Sequence, residues 1–315
     1  MNTSAKGSCR RAFTDTLCEL APIYPQLNAV TTDARGSVTL ERFAQEFPQQ
    51  FVEMGIAEQD AVSVSAGLAL TGKNVFVCGP ACFLTTRSLE QVKVDVAYNH
   101  TNVKVVGVSG GLSYGPLGAT HTTVTDIAQI RCIFNMMVLL PWDAAQTKAL
   151  TRQLAEMTGP AYMRMGRGDV YDVYAPDATF TIGKANQLRE GTDLTIIACG
   201  EMVWYALQAA EKLSAQGIHA RVLDMFTVKP LDREAVLKAA QETGCILTVE
   251  EHSIYGGLGG AVAELLIQNH PVPMKIMGLP DEDIILGNSQ ELFTYYGIDG
   301  DGICKGALEL LKQKR

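Results

Sequence analysis

The sequence has no Cys-x-x-Cys pair, no long run of basic residues and no apolar stretch long enough to cross a bilayer. Each absence removes a class of function. The eight cysteines, Cys9, Cys18, Cys78, Cys82, Cys132, Cys199, Cys245 and Cys304, lack paired metal-ligand spacing, and most lie in apolar runs. They read as free thiols of a reducing cytosol, not as a disulfide framework or a zinc site. Scattered Lys and Arg with a net charge of −8 argue against a nucleic-acid face or an anionic-membrane face. The opening MNTSAKGSCRR has no signal-peptide core, so a cytoplasmic protein is expected. Aromatics are scarce at 7%, yet hydrophobic residues reach 47%, which is too apolar for disorder and ample for buried cores. A chain of 315 residues leads to an expectation of two domains.

Short apolar runs recur over 75–78, 103–108, 137–140 and 162–165, with helix-like stretches over 88–98 and 144–157 between them. Strands apolar on both faces and alternating with helices predict an α/β fold with a parallel or mostly parallel sheet covered on both sides. Gly, Pro and Asp break this rhythm over 166–185, which reads as the domain connection. The rhythm then restarts, with strands over 194–199, 221–225 and 246–249 and helices over 202–216, 232–243 and 258–269. That is a second, smaller α/β domain.

Three glycine-rich places invite a function. GGLSYGPLGATH over 110–121 follows a strand, where α/β folds bind ligands, and Thr120 and His121 add side chains that can contact one. EEHSIYGGLGG over 250–260 would suit a phosphate, but it lacks the G-x-G-x-x-G fingerprint, so a structural turn is the better reading. DGDG over 299–302 is similar to the metal-diphosphate motif of thiamine enzymes. That motif needs a downstream asparagine, and the printed sequence ends at Arg315, so the match reads as a decoy. One residue looks misplaced. Glu58, in VEMGIAEQDAVSVSAGLAL, is a carboxylate between Gly55-Ile56-Ala57 and a helix of small apolar residues.

GIAEQ with its small-residue helix, then CGPACFLTTRSLEQV, then GPLGATHTTVTDIAQIRCI, resembles the pyrimidine-binding half of transketolases. VEEHSIYGGLGGAVAE resembles the transketolase C-terminal domain. The resemblance implies a pyrimidine-binding domain over 1–170, a linker over 171–185 and a C-terminal domain over 186–315. It also implies one subunit of a split, two-subunit enzyme. The companion subunit would carry the diphosphate-binding domain and the ligands for Mg2+ or Ca2+, in an α2β2 assembly; no metal ligands are expected in this chain.

The cofactor implied is thiamine diphosphate, which reacts as a C2 carbanion after its own imino tautomer removes the C2 proton. A carboxyl group shared with the pyrimidine ring nitrogen promotes that tautomer, and works best away from water. By position, Glu58 matches that carboxyl and Phe83 the aromatic packed on the ring. His121 matches a histidine facing the substrate hydroxyls. Arg164 matches the arginine that holds the terminal phosphate, a role suited to a planar fork of donors. Arg10 and Ser37 match weaker members of that anion site, and Asp33 a cofactor-side residue. Arg35 is an extra cation beside Ser37.

Two departures bear on substrate. Leu117 stands where split transketolases have an aspartate that hydrogen-bonds a sugar hydroxyl, and Ser109 where many have a substrate histidine. Ketol transfer is therefore expected between a ketose phosphate, or a modified anionic ketose such as apulose phosphate or a sulfo-sugar, and an aldose or keto acceptor. The rival readings are deoxyxylulose-phosphate synthesis, the β subunit of a 2-oxo acid dehydrogenase, and a non-catalytic binding or regulatory subunit.

Overall fold

The structure, a computed structural model, describes residues 6–314; residues 1–5, the start of the segment read as lacking a signal core, and Arg315 lie outside the described residues. The first sheet has seven strands in the order Thr227–Lys229, Met137–Leu139, Ala161–Met165, Val103–Val108, Asn74–Pro80, Leu27–Thr31, Phe51–Glu53. All pair in parallel except Thr227–Lys229, which reaches back from the second half of the chain to close one edge antiparallel. The second sheet runs Met274–Leu279, Ile246–Ser253, Leu194–Ala198, Ala220–Asp224, Asn186–Arg189, with the last strand antiparallel.

The expected α/β architecture is present. Asn74–Pro80, Val103–Val108 and Ala161–Met165 are buried along their whole lengths, as strands of a sheet covered on both faces must be. The strands Leu27–Thr31, Phe51–Glu53 and Met274–Leu279 were not marked by long apolar runs. Where one helix is expected over 88–98, a short α-helix Leu89–Gln91 continues into a π-helix Val92–Tyr98. A further π-turn, Phe83–Arg87, precedes it. Such wide turns often mark functional positions, because they re-aim side chains.

Parallel strands all point the same way, so the loops after them gather at one edge. Asp33, Arg35 and Ser37 follow Leu27–Thr31, and Glu58 follows Phe51–Glu53. Phe83 and Arg87 follow Asn74–Pro80; Tyr114, Leu117 and His121 follow Val103–Val108; Arg167 follows Ala161–Met165. Nearly every candidate residue thus lies at the carboxyl edge of one sheet. Arg164, inside a strand, and Arg10, on the helix Cys9–Leu20, are the exceptions.

Side-chain bonds tie the halves together. Asp143 caps the helix Ala144–Glu156 through Gln146 N–H and also accepts from Val173 and Tyr174 N–H at 3.0 and 2.9 Å. Tyr174 Oη and Gln146 Nε2 donate to Asp224 Oδ2 at 2.6 and 2.8 Å. The connection between the halves is therefore pinned to both of them.

Burial pushes the Asp224 pKa up to about 7, against the lowering effect of its two donors. A raised acid stabilises the fold fully below its unfolded pKa and loses that contribution as pH rises through the folded value. Asp224→Asn removes this dependence. Relative to wild type, the variant should gain stability between pH 5 and 7, at most about 1.4 kcal/mol per pH unit. Urea melts at pH 5, 6 and 7 check this, and parallel pH profiles for the two proteins would refute it.

Candidate active site

The helix Glu58–Leu70 buries Glu58, Ala61, Val62, Ser65 and Ala66, the i, i+3, i+4, i+7, i+8 stripe that faces a core. Glu58 therefore starts the inward face, and its residue is only 3% exposed. The helix dipole favours its negative charge there. Its Oε2 accepts from Arg87 Nη1 at 2.8 Å. The same guanidinium lies over the Phe83 ring, with Cζ 4.2 Å from the ring centre. A cavity of about 390 Å³ opens beside them, lined by Cys82, Phe83, Arg87, Thr120 and Ile284 among others.

His121 enters the same place from the loop after Val103–Val108. Its ring meets Phe83 edge-on at 5.4 Å and Tyr114 at 5.7 Å, and Nδ1 shares a 2.9 Å hydrogen bond with Thr120 Oγ1. Glu58, Phe83 and His121, chosen on separate motifs, are thus linked in a chain through the Arg87 guanidinium and the Phe83 ring. Leu117 lies on the outer turn of that loop, 54% exposed. Ser109 is fully buried at φ +57°, and its hydroxyl has no partner among the described residues, so it does not reach the open side of the site.

Arg164 is not free to hold a substrate phosphate. Strand geometry turns it inward, where it is 5% exposed. Nη1 donates to Asp126 Oδ1 at 2.9 Å and Nη2 to the Glu251 carbonyl at 2.9 Å, with Glu251 Oε2 at 3.5 Å. Burial opposes its charge, but Asp126 and Glu251 outweigh this and hold its pKa above the ordinary arginine value. Glu251 Oε1 in turn accepts from Leu112 N–H at 2.6 Å, which tethers the His121 loop to the second domain. This explains the Gly110-Gly111 pair: a Cβ at Gly110 would come within 2.5 Å of Arg164, and one at Gly111 within 2.1 Å of Glu251. Gly111 also has φ +60°, where a side chain is strained.

The arginine in the expected place is Arg167, three residues on and past the end of the strand. Its Nη1 donates to Tyr114 Oη at 2.9 Å, and Tyr114 Oη donates to Ser37 Oγ at 3.2 Å. Arg10 completes the group, donating to the Ser37 carbonyl at 2.7 Å and the Arg167 carbonyl at 2.6 Å. Arg10 and Ser37 are therefore brought together with Arg167, not with Arg164. Burial, and next the charge of Arg167, push the Arg10 pKa below the usual arginine value. Neither guanidinium is hydrogen-bonded to a carboxylate among the described residues. An anion would relieve that repulsion. Arg167 and Ser113 also line a cavity of about 770 Å³ between the domains, which includes none of Glu58, Phe83 and His121.

Asp33 is exposed at φ +52°, and its N–H donates to Glu53 Oε1 at 2.7 Å. Arg35 pairs with the same Glu53 at 3.4 Å and lies over Phe51. Glu53, which also accepts from Gly55 N–H, shapes the turn that leads to Glu58; its position at a strand end was the available signal. The two other glycine-rich segments are structural turns. Glu250 takes the Leu258 and Gly259 N–H groups at 2.7 and 2.8 Å, where a phosphate would have docked. Asp299 caps the helix Gly300–Leu311. No group of three His, Cys, Asp or Glu that could hold a metal occurs among the described residues.

Residues 5–172 match the transketolase pyrimidine-binding domain, and residues 183–303 match the transketolase C-terminal domain. The chain belongs to the transketolase family. It is 59% identical over 307 residues to one of the subunits of an apulose-4-phosphate transketolase from Phocaeicola vulgatus, covering 97% of this chain and 98% of that one. It is 39% identical to a 6-deoxy-6-sulfo-D-fructose transketolase subunit from a Clostridium species, covering 97% and 95%. A solved split-gene transketolase, described as an inactive β4 tetramer, superposes with a TM-score of 0.90 at 38% identity, over 99% of this chain and 100% of that one. The transketolase family implies dependence on thiamine diphosphate. The residues present fit its pyrimidine ring: Glu58 and Phe83 already receive a flat N–H donor between them.

The two arginines should separate cleanly. Arg164→Met leaves Asp126 and Glu251 buried without their cation and should cost about 3–5 kcal/mol in a urea melt. Arg167→Met, on a half-exposed loop, should cost less than about 1 kcal/mol. Equal losses would mean that Arg167 is as structural as Arg164.

Proposed function

We propose that this transketolase-family chain is the C-terminal subunit of a split enzyme that transfers a two-carbon ketol unit from an anionic ketose to an aldose or keto acceptor. The observation that carries this reading is the buried Glu58 carboxylate joined through Arg87 to the Phe83 ring, which His121 meets edge-on. When bound, thiamine diphosphate supplies the carbon that adds to the ketose carbonyl and carries the ketol unit. Glu58 holds a proton between its carboxylate and the pyrimidine ring nitrogen. Phe83 supports the ring face and Asp33 lies on the cofactor side. His121 faces the hydroxyls next to the reacting carbon. Arg167 and Arg10, with Ser37 and Arg35 nearby, hold the anionic end of the sugar.

A companion subunit supplies the diphosphate-binding domain and the ligands of Mg2+ or Ca2+, and the two assemble as α2β2 in the cytoplasm. Several facts support this. The P. vulgatus relative is named as one subunit of its transketolase, and the solved relative is described as an inactive β4 tetramer. Ile56, Leu117 and Leu286 are apolar yet 77%, 54% and 68% exposed, which suits surfaces that a second chain covers. All eight cysteines are free, as in a reducing compartment. No helix among the described residues is long and apolar enough to cross a membrane.

The chain alone should bind thiamine diphosphate weakly and show no ketol transfer, and adding the companion should restore both. In that assembly Glu58→Ala should slow hydrogen–deuterium exchange at the cofactor's C2 by about 10²–10⁴ without loss of assembly, the range for a positioned proton donor. An unchanged exchange rate would remove Glu58 from this role.

Leu117 bears on the substrate. A leucine cannot accept a hydrogen bond, so burying a sugar hydroxyl against it costs roughly 1–3 kcal/mol. A branched ketose phosphate, or a sulfo- or deoxy-sugar, that presents carbon at this point avoids that cost. Xylulose 5-phosphate should therefore be a poor donor, and Leu117→Asp should raise its kcat/KM about tenfold or more relative to modified ketoses. Efficient wild-type use of xylulose 5-phosphate, with no modified ketose preferred, would show the substitution to be neutral.

A further inference from the structure

Arg87 makes the two contacts that the pyrimidine ring needs. Its Nη1 donates to Glu58 Oε2 at 2.8 Å, and its guanidinium plane sits over Phe83 with Cζ 4.2 Å from the ring centre. A guanidinium is flat, delocalised and edged with N–H donors, so it copies both the stacking face and the donating edge of a protonated aminopyrimidine. Glu58 has no other side-chain hydrogen bond among the described residues. One carboxylate and one ring face are being shared with an internal group.

We infer that Arg87 is a placeholder in the cofactor site, which thiamine diphosphate must displace to reach Glu58 and Phe83. The inference rests on the proposed assignment of those two residues to the pyrimidine. Its physical basis is the asymmetry of the pair. The Glu58 side chain is 4% exposed and the Arg87 side chain 46%. A buried carboxylate left without a partner is costly, so the unloaded chain needs a cation there. The cation itself is half in water on a long flexible stem and can swing outward at little cost. The π-turn Phe83–Arg87 puts both residues on one wide turn, which is how a side chain four residues on comes to lie over the ring. Arg87 therefore steadies Glu58 before loading and competes with the cofactor during it. Its contribution to cofactor affinity is negative, whereas Glu58 and Phe83 contribute positively.

The test uses the assembled two-subunit complex and measures the Kd of thiamine diphosphate, with magnesium present, by isothermal titration calorimetry. Arg87→Met should tighten binding about two- to fivefold, the range for a partly exposed ion pair. It should also lower the Tm of the unloaded complex while leaving that of the loaded complex closer to wild type. Arg87→Lys keeps the charge without the flat stacking surface, and its Kd should fall between the two. Glu58→Gln and Phe83→Ala serve as references, and each should weaken binding. If they do so while Arg87→Met weakens binding or leaves it unchanged, Arg87 is a cofactor contact or a bystander, and the placeholder is overturned. If neither reference changes Kd, the assignment of the pyrimidine site itself has failed, and this inference fails with it.

Discussion

The buried guanidinium of Arg164 is the interaction on which the site's geometry depends. It joins Asp126 on the helix Asp126–Cys132 to Glu251 on a strand of the other domain, while Tyr162 Oη closes on Asp126 at 2.6 Å. Burial, and next the Glu201 carboxylate, push the Glu251 pKa up, and Arg164 pulls it back down. Glu251 then holds Leu112, and Ser289 of the second domain donates to the Leu112 carbonyl at 3.2 Å. The loop that carries His121 is thus clamped from the C-terminal domain. This gives that domain a physical role in a site whose candidate side chains all come from the first domain.

The alternation of strand and helix was legible because each buried parallel strand shows as a short apolar run. Glu58 was legible for a related reason, since a charge on a stripe of small residues contradicts its surroundings unless it has work to do. The anion site was not. Arg164 and Arg167 lie three residues apart across a strand end, and a strand buried on both faces has no polar alternation to say which side chain points out. Only the position of that end, at Met165, decides between them. The Thr227–Lys229 edge strand was hidden too. Three residues pairing with a strand nearly ninety positions earlier leave no local signature.

Arg87 marks a different limit. Its partner Glu58 is 29 residues away on another element, and neither residue's neighbours announce the pair. Charge pairing across elements is a property of the folded surface and not of any window of sequence.

The two ends of the site are prepared in opposite ways. At the proposed sugar end, Arg10 and Arg167 lie close together, bonded to carbonyls and a tyrosine hydroxyl but to no carboxylate among the described residues. Their charge is left over, which favours any anion that arrives and needs no rearrangement to receive it. At the pyrimidine end the carboxylate is already satisfied by Arg87, so a newcomer gains only the difference between its own contacts and those it replaces. A binding site that is self-satisfied until a larger set of contacts is available suits the proposed assembly, in which two chains hold the cofactor. If a companion holds the diphosphate, as proposed, that added hold would tip the exchange.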